Sequence, residues 1–331
     1  MSSFDHGLEM SVHRRTKMNS QRHLPQLPSE WVWLLLVPVI MLLYSTGAFA
    51  AKPQQTFATP EDAAAALVAA AKSGAPGALV EVLGDGGPDL SSGDPVADRV
   101  ARESFVSSYE KKHALVRDGD VTKLMIGDND FPFAFPIVKS GDRWRFDTIA
   151  GKNELLARRI GANEIDTIKV LQAMVDAQRE YASEDRNGDG VLAYARRFAS
   201  SPGKHDGLYW KTNAGEPPSP LGPLAVAASS EGYRANKSGP TPYHGYYYRL
   251  LKGQGASAGG AAFDYVVHGR AIGGFAIVAY PAKYGSSGIM SFIVNQDGKV
   301  FQSDLGPGTT AKASAMQRFD PGPGWSPASA Q

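Results

Sequence analysis

The alternation of apolar and polar positions divides the chain into a helical stretch, a short run of strands, one long helix and a final run of strands. Thr59-Pro60-Glu61-Asp62 carries a helix start: a side-chain oxygen for the first turn's N–H groups, a proline where no donor is needed, and acids at the positive end of the helix. The Ala-rich segment to Lys72 follows, with Leu67 and Val68 among its few larger apolar residues. A second short helix is predicted over Ala78–Leu83, ending at Gly84. Asp94-Pro95 repeats the start signal and predicts a helix to about His113, with Val100, Phe105, Val106 and Tyr109 facing inward. The period then falls to two. Thr122–Ile126, Phe133–Val138 and Arg143–Phe146 read as antiparallel strands, with Gly141-Asp142 in the last tight turn.

From Gly151 to Ala182 the period is helical again, over a length greater than that of most globular helices. Gly161 is expected to break or kink it and Asn163 to cap its second part, where Ile165, Ile168, Leu171, Met174 and Val175 form an apolar stripe. The Gly-, Pro- and Ser-rich residues 184–242 read as loop. Five strands then follow: Tyr243–Leu251, Phe263–Val267, Ile272–Tyr280, Ile289–Val294 and Val300–Ser303, with Asp297-Gly298 as a type I′ hairpin turn. The fold class is α+β. Residues 51–150 form an N-terminal unit of helices and a small antiparallel meander; residues 151–331 form a long helix packed on an antiparallel sheet, with a loop-rich segment between.

The first fifty residues change the picture of where the protein resides. Arg14, Arg15, Lys17 and Arg22 precede an apolar run from Trp31 to Tyr44, and Ala48-Phe49-Ala50 supplies the small-x-small pattern before Ala51. This is the pattern of a secretory signal peptide over residues 1–50, and it predicts an exported protein, periplasmic or secreted. The run of about 14 residues falls short of the roughly 20 that a spanning helix needs, so any membrane contact would be through an uncleaved leader. Among the 331 residues, 34 Lys and Arg balance 33 Asp and Glu, leaving a formal charge of +1. That balance excludes nucleic acid as the main partner, because there is no basic field to attract it. With no cysteine, disulfides, thiolate metal sites and a Cys nucleophile are also excluded.

The strings FATPEDAAAALVAAAKSG, WRFDTIAGKNELLARRIGANE, AQREYASEDRNGDGVLAYARRFASSPGKHDGLYW, PTPYHGYYYRLL and GGFAIVAYPAKYGSSGIMSFIVNQDGKVFQSDLG resemble the exported bacterial family known as domain of unknown function 2950. The resemblance covers roughly residues 57–325. It implies export and a shared fold, and brings no activity or catalytic residue. The N-terminal unit also resembles cone-shaped, nuclear-transport-factor-like domains in its pattern. The C-terminal half is similar to the globular region of type IV pilins and pseudopilins. It departs from them in lacking a prepilin glycine followed by an apolar helix with glutamate at its fifth position, so the likeness does not imply assembly into a pilus.

Asp185-Arg186-Asn187-Gly188-Asp189-Gly190 matches the first half of a calcium loop: oxygen-bearing side chains alternate, and a glycine at the sixth position permits the sharp turn. Asp185, Asn187, Asp189 and the Val191 carbonyl are the candidate ligands, and calcium is the one candidate cofactor. Arg196 stands where the bidentate acid belongs, so a site would need water or another segment's carboxylate, such as Asp206 or Asp304, to complete it; the alternative is a solvated turn ending the helix. Tyr243, His244, Tyr246, Tyr247, Tyr248 and Arg249 form the densest aromatic patch, suited either to stacking a sugar or a partner's aromatic side chain, or to burial in the core. On a continuous strand His244, Tyr246 and Tyr248 share one face and Tyr243, Tyr247 and Arg249 the other. Gly255-Ala256-Ser257-Ala258-Gly259 fits the G-x-S-x-G nucleophile pattern but lies in a loop between strands, without the strand-to-helix elbow the chemistry needs. His113, His205, His244 and His268 have no metal-ligand spacing, although His244 and His268 can be neighbours across the sheet. The functional expectation is an exported envelope protein with a binding or structural role, engaging another envelope protein or a cell-wall component through the loop-rich C-terminal half. Two alternatives remain open: a periplasmic hydrolase acting on envelope material, and a small-ligand-binding protein using the N-terminal unit.

Overall fold

The computed structural model describes residues 54–85, 91–213, 215–234 and 240–328; the leader expected over residues 1–50 lies outside the described residues. Helix α1 (Pro60–Ser73) begins where Thr59 Oγ1 accepts the Asp62 N–H at 3.1 Å, and it ends at Gly74 in the left-handed region. Helix α2 spans Ala78–Leu83, and α3 (Pro95–Lys111) is capped by the Asp94 carboxylate, which accepts from Val96 and Ala97. Strands β1 (His113–Asp118), β2 (Val121–Ile126), β3 (Phe131–Pro132), β4 (Ile137–Ser140) and β5 (Arg143–Phe146) form an antiparallel sheet of order β1-β2-β4-β5, with β3 paired to β2. Phe57, Leu67, Leu124, Phe135, Ile137 and Phe146 fill the core between α1 and this sheet.

Two local expectations are corrected here. The strand expected over Phe133–Val138 begins only at Ile137, in β4, because Pro136 has no N–H and the ladder cannot run through it; β3 lies before the expected range. Val100 does not face inward: it is 41% exposed, and α3 buries none of its residues fully.

Helix α4 (Thr148–Ala182) runs for 35 residues without interruption, capped by Asp147 through the Ala150 N–H. The break expected at Gly161 is absent, and Asn163 is no cap; its Nδ2 donates to the Ser287 carbonyl at 2.8 Å. A glycine costs about 1 kcal/mol in a helix interior, which is less than the burial of apolar side chains on either side of it contributes. Gly151 and Leu155 pack on the N-terminal core, while Ile168, Leu171, Met174 and Val175 pack on the second core. One helix therefore serves both. Ile165, expected in the stripe, is 38% exposed.

The segment read as loop contains helix α5 (Gly222–Glu231). After it come β6 (Tyr246–Leu251), β7 (Gly253–Gln254), β8 (Phe263–Asp264), β9 (Ala276–Pro281), β10 (Met290–Asn295), β11 (Phe301–Asp304), helix α6 (Thr309–Ala315), β12 (Arg318–Phe319) and β13 (Ser326–Pro327). They form a sheet of order β13-β11-β10-β9-β6 and a small sheet of order β12-β7-β8. The central strands are covered on both faces. Ile277, Ala279, Phe292 and Val294 meet α4, whereas Ala276, Val278 and Ile293 meet Ala313 of α6 and Phe319 of β12. Burial on two faces is why this part of the sequence is a continuous apolar run rather than an alternation.

The strand expected from Tyr243 begins only at Tyr246, because His244 and Gly245 both adopt positive φ (50° and 74°) and close a two-residue turn between Tyr243 and Tyr246. The strand expected to reach Val267 stops at Asp264, and His268-Gly269 closes a second turn of the same kind between Val267 and Arg270. At Asp297-Gly298 only the glycine has positive φ, so the turn is not type I′; the Gly298 N–H bonds the Asn295 carbonyl at 3.0 Å instead. The architecture is α+β, with helices packed on antiparallel sheets. Among the described residues no helix is long and apolar enough to cross a membrane.

Candidate functional site

The loop after α4 is closed by its own backbone. The exposed Asp185 carboxylate accepts N–H groups from Asn187 (3.2 Å), Gly188 (2.9 Å) and Gly190 (2.7 Å), and these bonds, Gly190's foremost, hold its pKa below the usual carboxylate value. Asp189 accepts the Val191 N–H with one oxygen and pairs with Arg270 Nε at 3.0 Å through the other. Asn187 points to solvent, and Arg196 donates to the Gly269 carbonyl. Asp206 is bound to Ser201 and Arg197, and Asp304 to Tyr284 and the Gly306 N–H, so neither completes the loop. Among the described residues no group of three or more His, Asp or Glu is placed to hold a metal ion.

The aromatic patch is turned mostly into the protein. Tyr246 is fully buried with its hydroxyl donating to the Met290 carbonyl, and burial pushes its pKa far up. Tyr248 packs on the same core beside Thr167, and Tyr247 lies against Tyr280 on the opposite face of the sheet, with centroids 5.7 Å apart. The Arg249 guanidinium donates to the carbonyls of Ala313, at 2.6 Å, and Met316. It thereby satisfies the C-terminal carbonyls of α6, where a cation also complements the helix dipole. Burial lowers its pKa, and its Nε is a buried donor without a partner.

Tyr243 and His244 belong instead to a clasp between the two halves of the chain. Asp94, fully buried, accepts the Tyr233 hydroxyl at 2.8 Å and the Gly245 N–H at 3.2 Å on the oxygen that does not cap α3. Tyr233 in turn accepts the His244 N–H, and its ring meets Tyr243 edge-on at 4.9 Å. His244 Nε2 faces Glu231 at 3.6 Å, and Arg99 of α3 donates to the Glu231 carbonyl. Burial and the neighbouring Asp94 push the Tyr233 pKa far up; burial, then Glu231, raises that of Tyr243 to about 12. Beside the clasp, the Ser286 hydroxyl donates to the Ser91 carbonyl, and Glu164 of α4 accepts the N–H groups of Ile289 and Met290.

The remaining histidines have structural surroundings. His113 stacks on Tyr109 and bonds its carbonyl, His205 stacks on Trp210, and His268 sits in its turn. Ser257 lies in a short 3₁₀ turn with its N–H on Asp320, so no elbow presents its hydroxyl. It lines a small pocket of about 270 Å³ with Asn295, Asp297, Lys299 and Phe301.

The larger concavity is a groove of about 620 Å³ between α3, the β2–β3 turn and α4. Phe105 and Phe133 form its floor, 5.0 Å apart, and Phe131 stands at the edge, 54% exposed, with the Arg158 guanidinium over its ring. Ser104, Ser107, Ser108 and Asn129 bring hydroxyls and an amide to the rim. The rim charges are paired: Lys111 with Asp128, and Arg158 with Glu154 at 2.7 Å. The sequence reading missed this groove: Phe105, Val106 and Tyr109 of α3 are expected to face inward, and the structure leaves each of them half-buried.

The chain belongs to the family described as Protein of unknown function (DUF2950), whose model matches residues 54–328. Searches of curated proteins and of solved structures found no match, pilins and cone-shaped domains included.

Proposed function

We propose that this chain is an exported, non-enzymatic binding protein of the bacterial envelope, and that its ligand lies in the groove between α3, the β2–β3 turn and α4. The observation that carries this reading is a helix of 17 residues, none fully buried, whose Phe105 meets Phe133 at the bottom of an open groove. A helix held only for packing would lay its apolar stripe on the sheet; α3 leaves that stripe half covered above a space of about 620 Å³, within the usual range for small-ligand sites.

The lining sets the chemistry. Phe105, Phe131 and Phe133 offer apolar faces for a flat, weakly polar surface, and the serines and Asn129 offer hydrogen bonds at its edge. With the rim charges already paired, a neutral ligand is favoured over an ion. A sugar ring of an envelope glycan has both an apolar face and a hydroxylated edge. Export rests on the leader pattern of residues 1–50.

Native mass spectrometry of the protein purified gently from its own host's envelope tests the reading. A bound neutral molecule is expected, and Ser104→Trp, which fills the groove from an exposed helix position, is expected to abolish it while leaving circular dichroism unchanged. A bare wild-type mass, or an adduct retained by the folded variant, would overturn the groove as the site.

A further inference from the structure

The two edges of the N-terminal sheet are treated differently. The β5 edge is covered: Phe57 and Trp144 exchange two backbone hydrogen bonds, and Arg143 reaches Thr56. The β1 edge is open. Five of its six residues are exposed, Leu115 is half-buried, and among the described residues only β2 pairs with it. It contains no proline and no bulge, two of the devices against edge pairing, and its charged residues, Arg117 and Asp118, stand at its C-terminal end.

The ladder shows which backbone groups point outward. The Gly127 N–H bonds the Lys112 carbonyl, while the carbonyl of Leu124, the partner of Leu115, is turned away to the Phe133 N–H. Hydrogen-bonded and non-bonded pairs alternate in an antiparallel ladder. The even-numbered residues of β1 therefore bond β2, and His113, Leu115 and Arg117 present their N–H and C=O groups to the open edge.

We propose that two copies of the chain pair antiparallel through β1, with Leu115 of each copy opposite Leu115 of the other. This register pairs every outward-pointing N–H with a C=O of the second copy and sets His113 against Arg117 of that copy. On the solvent face it sets Ala114 against Val116, which is 52% exposed. It also places Asp118 opposite Lys112, whose extended backbone (φ −161°, ψ 134°) continues the strand. Opposite charges thus face each other at both ends of the pairing, a self-complementarity that favours a second copy over an unrelated extended peptide. The Lys112 ammonium donates to Asp130 at 2.8 Å within its own chain and keeps two further N–H donors for Asp118 of the second copy.

The test is sedimentation velocity on the purified full chain over a wide concentration range, together with residue-resolved amide exchange. A reversible dimer is expected, with protection gained at His113, Leu115 and Arg117 but not at Ala114 or Val116 as concentration rises. Asp118→Lys is expected to weaken the dimer at least about tenfold, and adding Lys112→Asp, which swaps the pair, to restore it. A monomer at every concentration would overturn the proposal. So would a dimer indifferent to Asp118→Lys, or one whose protection lacks the alternation along β1; the exchange pattern requires no variant to fold.

Discussion

The carboxylate of Asp94 accepts the hydroxyl of Tyr233 at 2.8 Å, joining residues 139 positions apart in the chain. The same carboxylate caps α3 and takes the Gly245 N–H. Asp94→Ala is expected to cost about 3 kcal/mol: about 1 for the helix cap and about 2 for the buried donors left without an acceptor. Tyr233→Phe removes only the hydroxyl and should cost about 1 kcal/mol. In urea unfolding, the double variant should fall short of the sum of the two by about 1 kcal/mol. Full additivity would mean that the two side chains act independently.

Two glycines of α4 are predicted to respond to alanine with opposite signs. A methyl group on Gly151 would lie 2.1 Å from the Phe135 ring and 2.8 Å from its Cα, so Gly151→Ala is expected to destabilise by about 1–3 kcal/mol through overpacking. Gly161 has nothing within 4 Å of that position. There the substitution should stabilise by about 0.5–1 kcal/mol, the helix-propensity difference. Thermal unfolding of the two variants beside wild type decides it.

Alkali should unfold the protein through its buried tyrosines. Tyr243 and Tyr265 are each raised to about 12, chiefly by burial, and Tyr233, Tyr246 and Tyr248 are raised further. A tyrosine ordinarily titrates near 10. Above that pH the unfolded chain loses its tyrosine protons before the folded one does, so stability is full below about pH 10 and falls as pH rises towards 12. Tyr265→Phe should shallow that fall in stability measured between pH 10 and 12. An unchanged slope would contradict the assignment.

Calcium has its own test at Asp185, Asn187, Asp189 and Val191. A bound ion would have to draw Asp189 from Arg270 and compete with the backbone N–H groups on Asp185. With so few free acidic ligands, affinity should be at the weak end, on the order of millimolar. Millimolar calcium chloride is therefore expected to move the melting temperature by no more than about 1 °C, since ligand near its dissociation constant stabilises little. A rise of several degrees that Asp189→Asn removes would establish a calcium site.

The helix starts at Thr59-Pro60 and Asp94-Pro95 were legible because capping chemistry is local, and α2 was read to the residue. Strand β1 was missed because His113–Asp118, exposed along nearly its whole length, shows no buried face to set a period of two. The break expected at Gly161 weighed one residue's backbone cost without the packing on either side of it. The turns at His244 and His268 were hidden because non-glycine residues take positive φ uncommonly, and each turn shows itself only in the paired backbone bonds that close it. Of the clasp, only the capping role of Asp94 was visible, since Tyr233 lies in a segment that reads as loop. The groove required knowing how far α3 stands from the sheet, which no spacing of residues encodes.

Helix α4 makes the two halves of this chain hard to inherit separately. Its first turns close one core and its later turns the other, so a gene fragment ending or beginning within it would deprive one half of a wall. A recombination event that exchanged either half would have to bring a helix matched to both sides. Such a chain is more readily passed on whole than assembled from interchangeable modules.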